Sequence, residues 1–148
     1  MSENNQEQVF QLQRIYTKDI SFESPAAPQV FLESWQPEVN LQLNTNAVRM
    51  NDSANDYEVT LELTVTAQHE DTVVYLVEVQ QAGIFTAAGF PPEEMDHLLG
   101  SYCPNLLFPY AREMVSSLVS SGTFPQLLLQ PINFDALYHQ AQQEQAEH

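Results

Sequence analysis

The 148-residue sequence predicts an α+β domain: a four-stranded antiparallel sheet, then a long kinked helix and a short C-terminal helix. Three observations carry this. Apolar and polar residues alternate through the first half, as they do on strands with one dry face. After Pro91 the apolar spacing lengthens to three and four, the helical period. The strands all precede the helices, which places the helices together on one face of the sheet.

Along the chain, residues 1–8 are polar and acidic and read as a disordered N-terminus; 9–140 form the domain; 141–148 read as a flexible tail. The first strand, Phe10–Phe22, puts Phe10, Leu12, Tyr16, Ile20 and Phe22 on one face. Arg14 and Lys18 interrupt that face, which predicts a bulge or an edge position. Ser24–Pro37 contains Pro25, Pro28 and Pro37 and carries Val30, Phe31, Leu32 and Trp35. It is too long for a hairpin turn, and its apolar residues predict that it covers something. Val39, Leu41 and Leu43 mark a second strand. Tyr57, Val59, Leu61, Leu63 and Val65, alternating with Glu58, Thr60, Glu62 and Thr64, mark a third. Val73–Phe85 is a fourth, joined to the third as a hairpin through His69, Glu70 and Asp71.

Pro91-Pro92-Glu93-Glu94 is a helix start, with proline early and acids in the first turn. Met95, Leu98, Leu99 and Tyr102 continue it, and Pro104 and Pro109 should break or kink it. Tyr110–Ser121 carries it on through Met114, Val115, Leu118 and Val119 to a C-cap at Gly122. Asn133 caps a last helix from Phe134 to about Gln142.

Twenty acidic against four basic residues give a formal charge of −16. That argues against nucleic acid, whose phosphates need clustered Lys and Arg, and against anionic lipid surfaces and membrane insertion. The excess of acid favours a basic partner, or serves solubility alone. The single cysteine, Cys103, forms no internal disulfide, the N-terminus has no signal-peptide pattern, and no apolar run reaches the ~18 residues of a membrane span, so the expected location is the cytoplasm.

No catalytic constellation stands out. His69, His97, His139 and His148 are scattered, and nucleotide-binding and nucleophile-elbow motifs are missing. His97 and Cys103 make a poor metal pair, and Glu93, Glu94 and Asp96 read as a solvated helix start. No cofactor is expected. Two features rise above this background. One is a surplus of large apolar residues, among them Val30, Phe31, Trp35, Tyr75, Phe108 and Phe124, which fill a core or line a groove or subunit interface. The other is carboxylates at strand spacing: Asp19 with Glu23, Glu58 with Glu62, and Glu78 inside an apolar run. They form a solvated outer face or an acidic docking surface.

Five segments, in order, resemble the SecB family of bacterial export chaperones. They are Gln13-Arg14-Ile15-Tyr16-Thr17-Lys18-Asp19-Ile20-Ser21-Phe22-Glu23, Trp35-Gln36-Pro37-Glu38-Val39, Glu78-Val79-Gln80-Gln81-Ala82-Gly83-Ile84-Phe85, Tyr102-Cys103-Pro104-Asn105-Leu106-Leu107-Phe108-Pro109-Tyr110-Ala111-Arg112-Glu113 and Gly122-Thr123-Phe124-Pro125-Gln126-Leu127. The resemblance spans about Phe10 to Tyr138. It implies a homotetramer assembled as a dimer of dimers, unfolded secretory precursors held in apolar grooves, and delivery to the SecA ATPase, with no catalysis by this chain. It implies SecA-facing roles for Asp19, Glu23, Leu76 and Glu78. Phe31 from the loop, Trp35, Val39, Leu41, Leu43 and Tyr75 are expected in the groove. Val77, Val79 and Gln81 match positions tied to assembly, and the apolar half of the long helix, including Met114 and Leu118, is expected at the same interface. Val77 stands where many relatives have Cys, Ala82 stiffens the run before Gly83, and the chain ends early at His148. Rival readings are a small enzyme or ligand cup, which a saturable bound molecule would reveal, and a related chaperone for another client such as a toxin–antitoxin pair, which operon context would reveal.

Overall fold

A computed structural model describes residues 7–34, 36–50 and 55–146. The four strands are β1 (Val9–Glu23), β2 (Glu38–Arg49), β3 (Asp56–His69) and β4 (Thr72–Ala88). They form one antiparallel sheet in the order β1-β4-β3-β2, so β1 and β2 are its edges. Two-residue closure at Glu70 and Asp71 makes the β3–β4 hairpin, with Glu70 at φ 56°. Of the long connection, Gln29–Leu32 is a 3-10 turn that buries Val30 and leaves Phe31 and Leu32 47% and 85% exposed.

The first strand is both an edge and bulged. Its register against β4 slips between Leu12 and Arg14 and again between Thr17 and Asp19, leaving Gln13 and Lys18 as the extra residues. Each slip reverses which side the next residues face. The expected face is therefore corrected: Ile15 joins Phe10 and Phe22 against the core. Tyr16, opposite Ala82, turns to the other side, where its hydroxyl donates to Glu58 Oε2.

The helical half begins with α1 (Pro92–His97) and α2 (Cys103–Ser121), joined by a π turn at Leu98–Tyr102. The break falls before Pro104 and not at Pro109. Pro104 has no N–H for the carbonyl of Gly100 and its ring crowds that carbonyl, so the preceding turn is wound wide. Pro109 lies inside α2, which continues through it. Gly122 ends α2, but at φ −76°; the left-handed residue is Thr123, at φ 65°. Glycine is needed at 122 for space, since a Cβ there would lie 2.5 Å from Phe22 Cζ. The last helix, α3 (Phe134–Ala146), runs past Gln142 into the expected tail, because its exposed residues after Tyr138 contain no helix breaker. The first turn of α3 is capped as expected, with the Ala136 amide donating to Asn133 Oδ1 at 2.9 Å.

The core lies between α2 and the inner face of the sheet. Val59, Leu61, Leu63 and Val65 on β3 and Val77, Val79 and Phe85 on β4 are wholly buried against Leu107, Ala111, Val115 and Val119 on α2. Gly83 lets α2 come close: a Cβ there would lie 3.1 Å from Leu107 Cδ2 and 2.9 Å from Phe85 Cε1.

Candidate functional site

The sheet has two faces of different chemistry, and both carry residues singled out in the sequence. On the outer face, the register sets Glu23 opposite Leu76, Ser21 opposite Glu78, and Asp19 opposite Gln80. From β3, Thr66, Thr64 and Glu62 pair with the same three β4 residues. Gln42 and Asn44 of β2 come next, opposite Thr64 and Glu62. Asp19, Glu62 and Glu78 thus converge with Gln42, Asn44, Thr64 and Gln80 around a shallow depression of about 140 Å³. Glu23 and the half-buried Leu76 lie at one end of this face. Glu62, Gln42 and Asn44 are additions to the expected set. Their strand alternation was visible, but which carboxylate lies beside Asp19 depends on the β1-β4-β3 order.

At the other end of the outer face lies a clamp. Tyr16 donates to Glu58 Oε2, and Lys18 Nζ lies 3.0 Å from Glu58 Oε1 and 3.1 Å from Oε2. The phenol is pushed up to about 12, by burial first and then by the carboxylate it bonds. The Glu58 carboxyl is held below its ordinary value, by the Tyr16 hydrogen bond first and then by Lys18.

On the inner side, Phe31, Glu33, Ser34, Pro37, Val39, Tyr75 and the segment Thr123–Leu127 line a cleft of about 550 Å³. Its floor is an aromatic cluster: Tyr75 and Phe124 at 5.0 Å between centroids, Phe31 and Phe124 at 5.3 Å, and Phe22 and Tyr75 at 6.0 Å. Burial raises the Tyr75 phenol, so it stays neutral. Three of the expected groove residues, Phe31, Val39 and Tyr75, meet here. Leu41 and Leu43 do not line the cleft; they continue the Val39 row along β2 and are half-buried against the core. Trp35 lies outside the described residues. The return segment after α2 was missed as a wall, although Gly122 to Leu127 is one of the segments that carry the resemblance.

Val77, Val79 and Gln81 sit beneath the chain's own α2, at most 2% exposed. These positions, expected at an assembly interface, are corrected to the chain's own core: α2 covers them, since its apolar stripe matches that face. Met114 and Leu118 are half-buried on the flank of the same stripe. The opposite side of α2 presents Asn105, Tyr110, Glu113 and Ser117.

A further cluster joins α3 to the π turn. Asp135 Oδ1 accepts from Ser101 Oγ and lies 2.8 Å from His97 Nε2. Ser, His and Asp meet here, but not as a nucleophilic triad, because serine and histidine both point at the carboxylate and not at each other. Its parts are 38 and 34 residues apart, so no sequence pattern announced it. Cys103 is buried, and burial pushes its thiol up to about 12, which leaves it protonated and unreactive.

Residues 3–145 match the family model described as preprotein translocase subunit SecB. A curated relative, the protein-export protein SecB of Alcanivorax borkumensis, is 59% identical over 144 residues, covering 96% of this chain and 91% of its own. Among solved structures, a SecB-like chaperone of Mycobacterium tuberculosis, in complex with a peptide from an antitoxin, matches with a TM-score of 0.69. It is 18% identical, covers 83% of this chain and 90% of its own, and so shares the fold.

Proposed function

The chain belongs to the SecB family of protein-export chaperones, and on that premise we propose that it uses the two faces of its sheet for two different partners. It is a chaperone and not an enzyme. Unfolded secretory precursors bind in the aromatic cleft and along the Val39, Leu41 and Leu43 row of β2. An extended client offers apolar side chains in no fixed order, so broad apolar walls suit it better than placed polar groups. Each contact is modest, and several subunits gripping one chain multiply them.

The outer acidic face, with Asp19, Glu23, Leu76 and Glu78, docks the SecA motor through a basic segment of that protein. The observation that carries this reading is the register of β1 and β4, which gathers these side chains on the side of the sheet away from the cleft. A client and the motor then bind without competing. The working unit is a cytoplasmic homotetramer, a dimer of dimers with C2-related interfaces. Val77, Val79 and Gln81 serve it indirectly by seating α2, whose outward side and flank, with Met114 and Leu118, meet the other copies.

The test is Glu78→Lys, which sets a like charge before a basic partner. Binding to purified SecA, measured by calorimetry, should be lost, while holding of an unfolded precursor persists. Unaltered SecA binding would leave the face a solvated surface. Simultaneous loss of both activities, with a smaller particle in light scattering, would mean that the assembly itself was damaged.

A further inference from the structure

Lys18 is the only lysine of the chain. It is the extra residue of the second β1 bulge, directly before Asp19. A bulge re-aims its side chain, and here the ammonium lies on the outer face, on Glu58. Asp19, one residue on, is on that same face beside Glu62 and Glu78. A mobile lysine at this position would have Asp19, its sequence neighbour on the same face, as an alternative carboxylate. Instead both oxygens of Glu58 hold it, and Tyr16 donates to the same carboxylate from the same strand. Among the described residues no hydrogen bond or ion pair engages the carboxylate of Asp19, Glu23, Glu62 or Glu78.

We propose that Glu58, steadied by Tyr16, is a specificity-determining residue of the acidic face: it sequesters Lys18 and so keeps the Asp19 carboxylate unpaired for a basic partner. Glu58 acts through Lys18 and is a positioning residue, not a docking one. This rests on the reading of the outer face as the surface that docks SecA. The effect has the size of one exposed ion pair gained by the wrong partner, roughly a two- to five-fold loss of affinity. It is largest at low ionic strength, where surface charges are least screened.

The experiment is calorimetry of purified SecA against four variants at low salt. Glu58→Gln keeps an acceptor for Tyr16 but releases the ammonium, and should bind two- to five-fold more weakly. Glu58→Gln with Lys18→Met should return to wild-type affinity, because the released ammonium that would occupy Asp19 is gone. Glu93→Gln changes the net charge by the same amount from α1 and should bind as wild type, which separates local pairing from overall charge. Wild-type binding by Glu58→Gln overturns the proposal. So does a double variant as weak as the single one, since Glu58 would then be a direct contact or a structural prop, and so does an equal loss from Glu93→Gln. Glu78→Lys, run beside them, keeps the two readings apart: if it still binds, the docking face itself is wrong, whatever the Glu58 series does.

Discussion

Phe124, just beyond α2, faces Tyr75 of β4 with ring centroids 5.0 Å apart, and this pair closes the inner end of the cleft. Both are buried, at 4% and 3% exposure, whereas Phe31 on the rim is 47% exposed. Phe31→Ala should therefore weaken holding of an unfolded precursor several-fold, about 1 kcal/mol for one partly exposed aromatic contact, with no change in melting. Phe124→Ala should instead cost about 3–5 kcal/mol of stability as a core truncation. Thermal unfolding and aggregation-suppression assays on both variants would separate them. Equal client holding by Phe31→Ala and wild type would remove Phe31 from the groove.

The edge row gives a second expectation. Leu41 and Leu43 lie on the inner face of β2 but outside the cleft lining, half-buried against the core. Replacing both by Ala should lower client affinity while the native assembly survives, with a stability loss of roughly 1–3 kcal/mol from reduced burial. Native mass spectrometry with an unfolded precursor reads both quantities. An intact assembly with unchanged client occupancy would confine the groove to the cleft.

Docking on the acidic face should respond to salt. Fixed charges steer encounter and set register. Screening shortens from ~10 Å at 0.1 M salt to ~3 Å at 1 M. The association rate with SecA should fall by about an order of magnitude over that range, while client association in the aromatic cleft changes little. Stopped-flow measurement of both rates checks this, and a salt-independent rate for SecA would leave Leu76 and other apolar contacts as the determinants.

The alternation of β2, β3 and β4 was legible in the sequence because period two is strong where one face is dry. The faces of β1 were not. Gln13 and Lys18 carry no mark that distinguishes a bulge residue from an ordinary strand residue, and each reverses the facing of the residues after it. Tyr16 therefore reads as inward from the sequence, and Ile15 gives no sign that it joins the core. Asp19 and Glu23 share a face in both readings because both come after the second bulge. The outer carboxylates were readable in pairs along one strand, while the meeting of Asp19 with Glu62 needed the strand order. The cover over Val77 and Val79 was also hidden: a strand pattern gives an apolar face but not whether helix or neighbour covers it.

Gly83 offers a test of how closely α2 must approach. A methyl group there would meet Phe85 Cε1 at 2.9 Å, Leu107 Cδ2 at 3.1 Å and the backbone oxygen of Arg14 at 3.1 Å. The backbone contact cannot rotate away, so Gly83→Ala should cost about 1–3 kcal/mol as overpacking. Urea denaturation reads this directly. A midpoint equal to wild type would show that β1 and α2 yield at no cost.

The last prediction concerns Asp135 and the seating of α3. Its carboxyl is held below the ordinary value, by the Ser101 hydrogen bond first, then by the His97 hydrogen bond and the charges of His97 and His139, against a smaller effect of burial. A carboxyl lowered in the folded state favours that state above its unfolded value, ~3.9 for Asp, and the contribution disappears as pH falls through the lowered value. Tyr138, raised by burial and by Asp96, stays neutral throughout that window and does not mimic it. Phe134 against Phe108, and Tyr138 over Gly100, remain as apolar anchors after the carboxyl is protonated. Loosening of α3 should therefore be partial and should leave the sheet intact. Hydrogen exchange of residues 134–146, corrected for intrinsic rates, should show a drop in protection as pH falls below the ordinary carboxylate range. Asp135→Asn keeps an oxygen acceptor but no charge, so its α3 should be less protected at neutral pH and lack the acid-induced step. A wild-type step that survives in Asp135→Asn would assign it to another carboxylate, with Asp96 and Glu93, whose charges reach Tyr138, as the candidates on α1.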